Sequence, residues 1–405
     1  MLATSPDDEG PAVSVIMTAL NERRHLRAAV DSVFAQDYPG PVELVVAVGP
    51  SQDQTERLAD ELAARHPCMR VISNPSGRTP AGLNRAIAAT NPKTSIVVRT
   101  DGHAQLPPDY IRLAVEDLQQ TRAANVGGMM VPVGTTPFEE AAARAMSTRI
   151  GIGSAPFHTG GAQGPSASVY LGVFRRSVLV DTGGFDEKYS RAQDWELNHR
   201  IREGGGLVWF DPRLQVEYRP RPNLARVARQ FHQSGLWRWQ IIRDYPETVS
   251  LRYLAAPTAA LGIGLAAIAA LAAASGRLPS AALAAAAGVP GAYLVVIGVG
   301  AAATRRGLGP RASAWYPAVL ATMHLSWGTG FLSGAATDMV AALRTGLRRW
   351  HRSGDAVHSG DAVHSGDGGR VDGGGRVDDD ASACGADGSS DAALATGEGR
   401  RATTR

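Results

Sequence analysis

The sequence predicts an α/β protein: a mainly parallel sheet flanked by helices, then apolar C-terminal helices, then a polar tail. Three observations carry that reading. Short apolar runs alternate with helix-spaced patterns over the first hundred or so residues. Three long stretches without a charged side chain follow Arg252, and large apolar side chains nearly vanish after Ser353.

Residues 1–12 are polar and acidic, with neither a basic leader nor an apolar run, so they read as disordered and not as a secretory signal; the following domain is expected to begin in the cytoplasm. Val13–Thr18 is then a buried strand, Glu22–Ala35 a helix, Val42–Val48 a second strand and Gln54–Arg65 a second helix. Met69–Ser73, Ala81–Ala89 and Ser95–Thr100 continue the series. Strands alternating with helices of this length build βαβ units, whose strands pair in parallel. Ligands of such sheets bind beyond the carboxyl ends of the strands, and the chemistry is sought there.

Composition separates the chain into unlike parts. Charged residues make up 20% of its 405 residues, below the globular norm of about 25%. The formal net charge of +3 conceals a tail from Ser353 onward that carries −5, which leaves +8 for residues 1–352. Cys68 and Cys384 cannot staple a chain of this size. Whole-chain disorder, a collagen-like fibre and a disulfide scaffold are excluded.

The charge-free stretches are Tyr253–Gly276, Leu278–Thr304 and Ala312–Thr337. Each is long enough to span a bilayer, which takes about 20 apolar residues. The rival reading is a set of Ala-rich buried helices. The third stretch contains Pro317 and His324 and is equally compatible with a re-entrant or interfacial segment, so two to three helices are expected over residues 253–337. Arg243 and Arg252 precede the first stretch, while Arg305, Arg306 and Arg311 follow the second. Positive-inside bias therefore keeps the N-terminal domain cytoplasmic. Ahead of the spans, residues 219–252 hold seven arginines with Phe231, Trp237 and Trp239, which suits an interfacial segment better than a nucleic-acid patch. Residues 338–405 read as a basic juxtamembrane stretch and a disordered tail containing the repeat SGDAVH at Ser353–His358 and Ser359–His364.

Three polar motifs lie where the sheet expects a ligand. Thr18-Ala-Leu-Asn21-Glu22 follows the first strand, where helix-start N–H groups hold phosphates; Asn21 as an ordinary helix cap reads equally well. Arg99-Thr-Asp101-Gly-His103 ends the Ser95–Thr100 strand, and its carboxylate and imidazole can approach one divalent cation; a plain Asp-Gly turn is the rival. Gln193-Asp194-Trp195-Glu196-Leu197-Asn198 opens a helix, where Asp194 complements the helix dipole or serves as a general base. Trp195 is core packing or a flat face for a sugar.

These motifs, in this order, resemble those of the family 2 glycosyltransferases with a GT-A, Rossmann-like nucleotide-sugar-binding fold. Asn74-Pro-Ser-Gly77-Arg78-Thr79, Gly82-Leu-Asn84, Gly172-Val-Phe-Arg175 and Gly183-Gly184-Phe185-Asp186-Glu187 extend the likeness. The nearest subgroup is the exopolysaccharide glucosyltransferases of the succinoglycan-biosynthesis type, and the likeness covers roughly Val13 to Arg243 plus the hydrophobic end. It implies a transferase domain over residues 13–218 that takes a nucleotide sugar, UDP-linked by analogy, with Mg2+ or Mn2+. Asp101 and His103 match the metal motif, and Asp194 the base for an inverting transfer. Thr18, Asn21, Glu22, Asp53, Arg78, Asn84 and Asp101 match the nucleotide-sugar side, while Gln193, Trp195, Trp237 and Arg238 are acceptor-side candidates.

Three positions depart from the family. Val48 stands where many relatives carry a base-recognising Asp, which weakens uridine specificity. Gln193 replaces the first acid of the usual Glu-Asp pair, as in the exopolysaccharide subgroup. Gly235-Leu-Trp-Arg238-Trp239 lacks the Gln of the Gln-x-x-Arg-Trp motif of processive synthases, which favours single-sugar transfer. The expectation is a multi-pass enzyme of the cytoplasmic membrane, extending a lipid-linked or cell-envelope polysaccharide acceptor, with no nucleic-acid partner. The alternatives are transfer of mannose or glucose to polyprenyl phosphate and, from another class, a catalytically silent membrane scaffold.

Overall fold

The computed structural model describes residues 10–277, 279 and 281–358; for residues 282, 283, 285 and 346–358 only the backbone is described. The chain divides into units Met1–Arg344 and Thr345–Arg405, and the described part of the second is helical. The sheet is laid down by β1 (Val13–Ala19), α1 (Leu26–Phe34), β2 (Val42–Val48), α2 (Thr55–Ala63), β3 (Met69–Ser73), α3 (Thr79–Ala89) and β4 (Ile96–Asp101). Each of these elements falls where the sequence predicts it, with shifts at the ends only. There follow α4 (Tyr110–Thr121), β5 (Asn125–Pro132), α5 (Pro137–Met146), two short helices α6 (Arg149–Ile152) and α7 (Pro156–Thr159), β6 (Gly164–Pro165), β7 (Tyr170–Arg175), α8 (Arg176–Asp181), α9 (Gln193–Glu203) and β8 (Val208–Tyr218).

The eight strands form one mixed sheet in the order β3-β2-β1-β4-β7-β5-β8-β6, with β3, β2, β1 and β4 parallel. Strand β1 has its first five residues buried because it lies mid-sheet and is covered on both faces. Successive side chains alternate between faces. Val13, Val15 and Met17 pack with α1, α2 and α4, whereas Ile16 packs with α3, α8 and α9. From β1 the chain crosses to β2 and β3 on one side and later returns to β4 on the other. The crevice at this reversal of strand order opens at the carboxyl ends of β1 and β4, where Thr18 is level with Asp101.

Past the sheet, α10 (Leu224–Asp244) leads through two 3-10 turns, Pro246–Thr248 and Leu251–Leu254, into α11 (Ala255–Ala274), α12 (Ala281–Thr304) and α13 (Pro310–His358). Among the described residues two segments, Leu251–Ala274 and Ala286–Thr304, are long and apolar enough to cross a membrane. Their leucines face outward, with Leu265 56%, Leu271 72% and Leu294 66% exposed, which is the opposite of an Ala-rich buried core. The third charge-free stretch behaves differently. Within α13, Tyr316, Val319, Leu320 and Met323 are buried in a cluster with Phe138, Ala141 and Met146 of α5 and Val227 and Phe231 of α10. It docks on the domain because one of its faces finds apolar partners there.

Helix α10 carries four of the seven arginines, Arg226, Arg229, Arg238 and Arg243, and is held on one side by α13: Gly235 meets the Trp327 carbonyl, and Gly330 the His232 carbonyl. Trp239 donates to Asp338 at 2.8 Å. The expected disorder of residues 1–12 and of the tail falls largely outside the described residues. Ser353–His358, the first copy of the repeat, continues α13 as helix, since adding a residue to an existing helix costs far less than nucleating one.

Candidate active site

The loop after β1 is the first wall of the crevice. Asn21 adopts a left-handed φ of 58°, which asparagine tolerates better than most residues. Its N–H donates to Ser51 Oγ at 3.1 Å, and its Oδ1 accepts from the Gln52 N–H at 2.8 Å. The Glu22 N–H donates to Thr55 Oγ1 at 2.8 Å. Asp53 accepts from the N–H groups of Arg23 and Thr55, both at 3.1 Å, and from the Thr55 hydroxyl. Burial works against its charge, but these hydrogen bonds outweigh it and hold the carboxyl below its ordinary value. Asn21, Glu22 and Asp53 thus knit the β1 and β2 loops together. Val48 ends β2 buried and presents no acceptor there.

The floor is β4. Arg99 and Asp101 share a face because they are two residues apart on a strand. Arg99 Nη2 donates to Asp101 Oδ1 at 2.8 Å, and Nη1 donates to Asp194 Oδ2 at 2.9 Å. The Arg99 side chain is only 5% exposed. Burial opposes its charge, yet the two carboxylates overcome that and keep it protonated. Asp194 lies in the first turn of α9, which follows Ala192 in a left-handed conformation. Burial pushes its carboxyl above the ordinary value, and Arg99 opposes the rise.

Helix α9 is fixed from behind. Fully buried Glu196 accepts from Arg200 Nε at 2.6 Å and from the Tyr245 hydroxyl at 2.8 Å. Asn125 Nδ2 donates to Asn198 Oδ1 at 2.6 Å. Such support holds Asp194 in one geometry.

At the rim, His103 Nδ1 and Glu22 Oε1 are 2.8 Å apart. This hydrogen bond raises the imidazole pKa against its burial. It also leaves Nε2 available, the arrangement in which a ligating histidine is oriented by a carboxylate behind it. Among the described residues no group of three or more His, Cys, Asp or Glu is placed to hold a metal. Asp101 Oδ2 and His103 Nε2 are the atoms here that a hard cation could use as donors.

The other predicted residues divide. Trp195 stacks on His199 with centroids 5.3 Å apart, and the Arg238 guanidinium lies 5.1 Å from its ring. Gln193 opens α9 beside Asp194. Trp237 packs on Tyr189, at 6.1 Å. Arg78 reaches Ser190 Oγ at 3.0 Å and the Glu187 carbonyl. Asn84 closes both of its amide ends on the Phe185 backbone at 2.8 Å. Arg78 and Asn84 thereby pin the Gly183–Ser190 loop from α3. Sequence reasoning missed Arg99; its signal was a cation inside an otherwise apolar strand, two residues before Asp101.

Residues 14–183 match the family model of Glycosyl transferase family 2, a match that ends before α9. The chain is 28% identical over 318 residues to Succinoglycan biosynthesis protein ExoA of Rhizobium meliloti (strain 1021), covering 78% of this chain and 93% of that protein. It is 24% identical over 241 residues to a dolichyl N-acetyl-alpha-D-glucosaminyl phosphate 3-beta-D-2,3-diacetamido-2,3-dideoxy-beta-D-glucuronosyltransferase of Methanococcus voltae, covering 57% and 74%. Among solved structures, mannosyltransferase PcManGT from Pyrobaculum calidifontis, in complex with GDP-Man and Mn2+, superposes with a TM-score of 0.52 at 22% identity over 81% of this chain and 90% of that one. The fold is of the GT-A type.

Proposed function

We propose that this chain, a family 2 glycosyltransferase by its domain and fold, transfers a sugar with inversion from a nucleotide-sugar donor to a lipid-linked or cell-envelope polysaccharide acceptor. The observation that carries the reading is the Arg99 bridge, which holds Asp101 and Asp194 on the two terminal nitrogens of one buried guanidinium in the crevice. Relatives named for succinoglycan biosynthesis and for a dolichyl-phosphate-linked acceptor support the acceptor class.

In this reading Asp194 takes the proton of the acceptor hydroxyl as its oxygen attacks the anomeric carbon. The new C–O bond forms as the bond to the diphosphate breaks on the opposite face, so the configuration inverts. Asp101 and His103 would hold Mg2+ or Mn2+, which would supply positive charge against the departing nucleoside diphosphate. The superposed mannosyltransferase with its Mn2+ supports a divalent cation. Thr18, Asn21 and Glu22 line the donor side at the β1 end, and Asp53 fixes their loop. Arg78 and Asn84 position the Gly183–Ser190 segment ahead of α9.

The exposed apolar faces of α11 and α12 anchor the domain at the bilayer, and the arginines flanking them keep it on the cytoplasmic side. The test is a screen of detergent-held protein against UDP-, GDP- and dTDP-sugars with Mn2+. The cognate donor raises the melting temperature by mass action and supports transfer. If no donor stabilises the protein, the reading fails.

A further inference from the structure

Two arginines near α9 are paired with carboxylates, and among the described residues Arg238 is not. Arg99 has Asp101 and Asp194, and Arg200 has Glu196. Arg238, on α10, has its guanidinium 5.1 Å from the Trp195 ring and 4.6 Å from the Tyr253 ring, with Nη1 buried and without a hydrogen-bond partner. A second cation, Arg252, contacts the same Tyr253 ring. Arg252 lies 5.0 Å over the other ring contact, Tyr253, donates to its hydroxyl at 3.0 Å and reaches Ser154 Oγ at 3.3 Å. Among the described residues neither arginine forms an ion pair with a carboxylate. Burial and Arg252 both weaken Arg238's hold on its proton. A desolvated guanidinium beside a second cation is costly until an anion joins it.

The position says which anion. Trp195 follows Asp194 on α9, and Tyr253 lies in the Leu251–Leu254 turn that opens the first candidate span, Leu251–Ala274. Arg238 therefore joins the helix of the reacting carboxylate to the point where the chain meets the bilayer. A phosphate ester on an amphiphile has its charge at that depth and its chain along the apolar helix. The guanidinium fork matches phosphate oxygens, with aromatic rings closing the sides.

We propose that Arg238 and Arg252 form the binding site for the phosphoryl group of the lipid-linked acceptor, placing that acceptor beside Asp194. This rests on the transferase reading above. The same chemistry has a second source, the diphosphate of the donor, and the experiment separates them.

Full-length protein in a neutral detergent is titrated with dodecyl phosphate, with dodecanol as the uncharged control, and separately with UDP and GDP in the presence of Mn2+; thermal stabilisation is the readout. The wild type binds dodecyl phosphate and not dodecanol. Arg238→Gln and Arg252→Gln weaken dodecyl phosphate roughly ten- to hundred-fold and leave the nucleoside diphosphate response unchanged, while Arg238→Lys retains part of the binding. Equal dodecyl phosphate binding by wild type and Arg238→Gln overturns the assignment, as does a wild type that ignores the probe. Selective loss of the nucleotide response assigns Arg238 to the donor and also overturns it. Loss of both responses in Arg238→Gln and Arg238→Lys alike makes Arg238 structural. A wild type that answers no nucleotide sinks the transferase reading instead, so the two failures are distinguishable.

Discussion

Arg99 and Asp194 lie 95 positions apart in the chain and meet at 2.9 Å, the guanidinium buried beneath the carboxylate. Because Arg99 opposes the effect of burial on Asp194, removing it pushes that carboxyl further up. A base must be deprotonated to act, so the acid limb of the pH–rate profile of Arg99→Gln moves to higher pH. Arg99→Lys keeps the charge without the two-pronged geometry and falls between. An unmoved acid limb in Arg99→Gln contradicts the pairing.

Asp194→Asn keeps shape and removes the base. Transfer drops by about two to four orders of magnitude, the usual worth of a positioned base. Donor-induced thermal stabilisation persists, since the nucleotide side is untouched. An active Asn variant removes Asp194 from the chemistry.

Glu22 orients His103 through one hydrogen bond. Glu22→Gln weakens Mn2+ affinity, measured in the presence of nucleotide, by roughly ten- to hundred-fold. Chelation with EDTA stops turnover of the wild type. Full activity in EDTA excludes the cation.

A second carboxylate pair lies away from the crevice. Asp117 and Asp211 are buried together beside Arg213, whose Nη2 is 3.1 Å from Asp117 and 2.6 Å from Asp211. Burial and the neighbouring Asp211 push the Asp117 carboxyl up to about 7, while Arg213 and the Asp117 proton hold Asp211 below its ordinary value despite burial. Between the ordinary carboxylate value and 7 the folded state binds more protons at Asp117 than the unfolded chain does. This site's contribution to stability is therefore full in acid and declines as pH rises through that window. Asp211 acts at the other end, losing its contribution as pH falls below the ordinary value. Asp117→Asn flattens the upper slope in urea or thermal melts; an unchanged slope refutes the shared proton.

The glycine that replaces the synthase glutamine has a packing reason. A Cβ on Gly235 would sit 2.0 Å from the Trp327 carbonyl oxygen, so α10 and α13 touch backbone to backbone. Gly235→Ala costs about 1–3 kcal/mol as an overpacked contact, read as a lower melting temperature in detergent. Gly235→Gln is expected to be worse and to leave no room for synthase-like activity.

Local sequence signals located the crevice. Apolar runs and helical spacing marked β1 to β4, and polar residues at their carboxyl ends marked Asn21, Asp101 and His103. Asp194 was legible because a carboxylate opens a helix whose later residues are spaced to bury one face. Arg78 and Asn84 were legible as residues of note but not as clamps on the Gly183–Ser190 loop, because their partners lie about a hundred positions away.

The sequence by itself determined the order of strands and helices through β4, the end of the sheet where a ligand is expected, and three charge-free stretches long enough for a bilayer. Those depend on periodicity and turn chemistry within a few residues. Only the tertiary structure decided that Arg99 pairs with Asp194, that α13 docks on the domain while α11 and α12 leave most of their leucines exposed, and that among the described residues Arg238 has no carboxylate partner. Burial and charge pairing depend on what distant segments bring alongside, and a one-dimensional pattern does not carry that information.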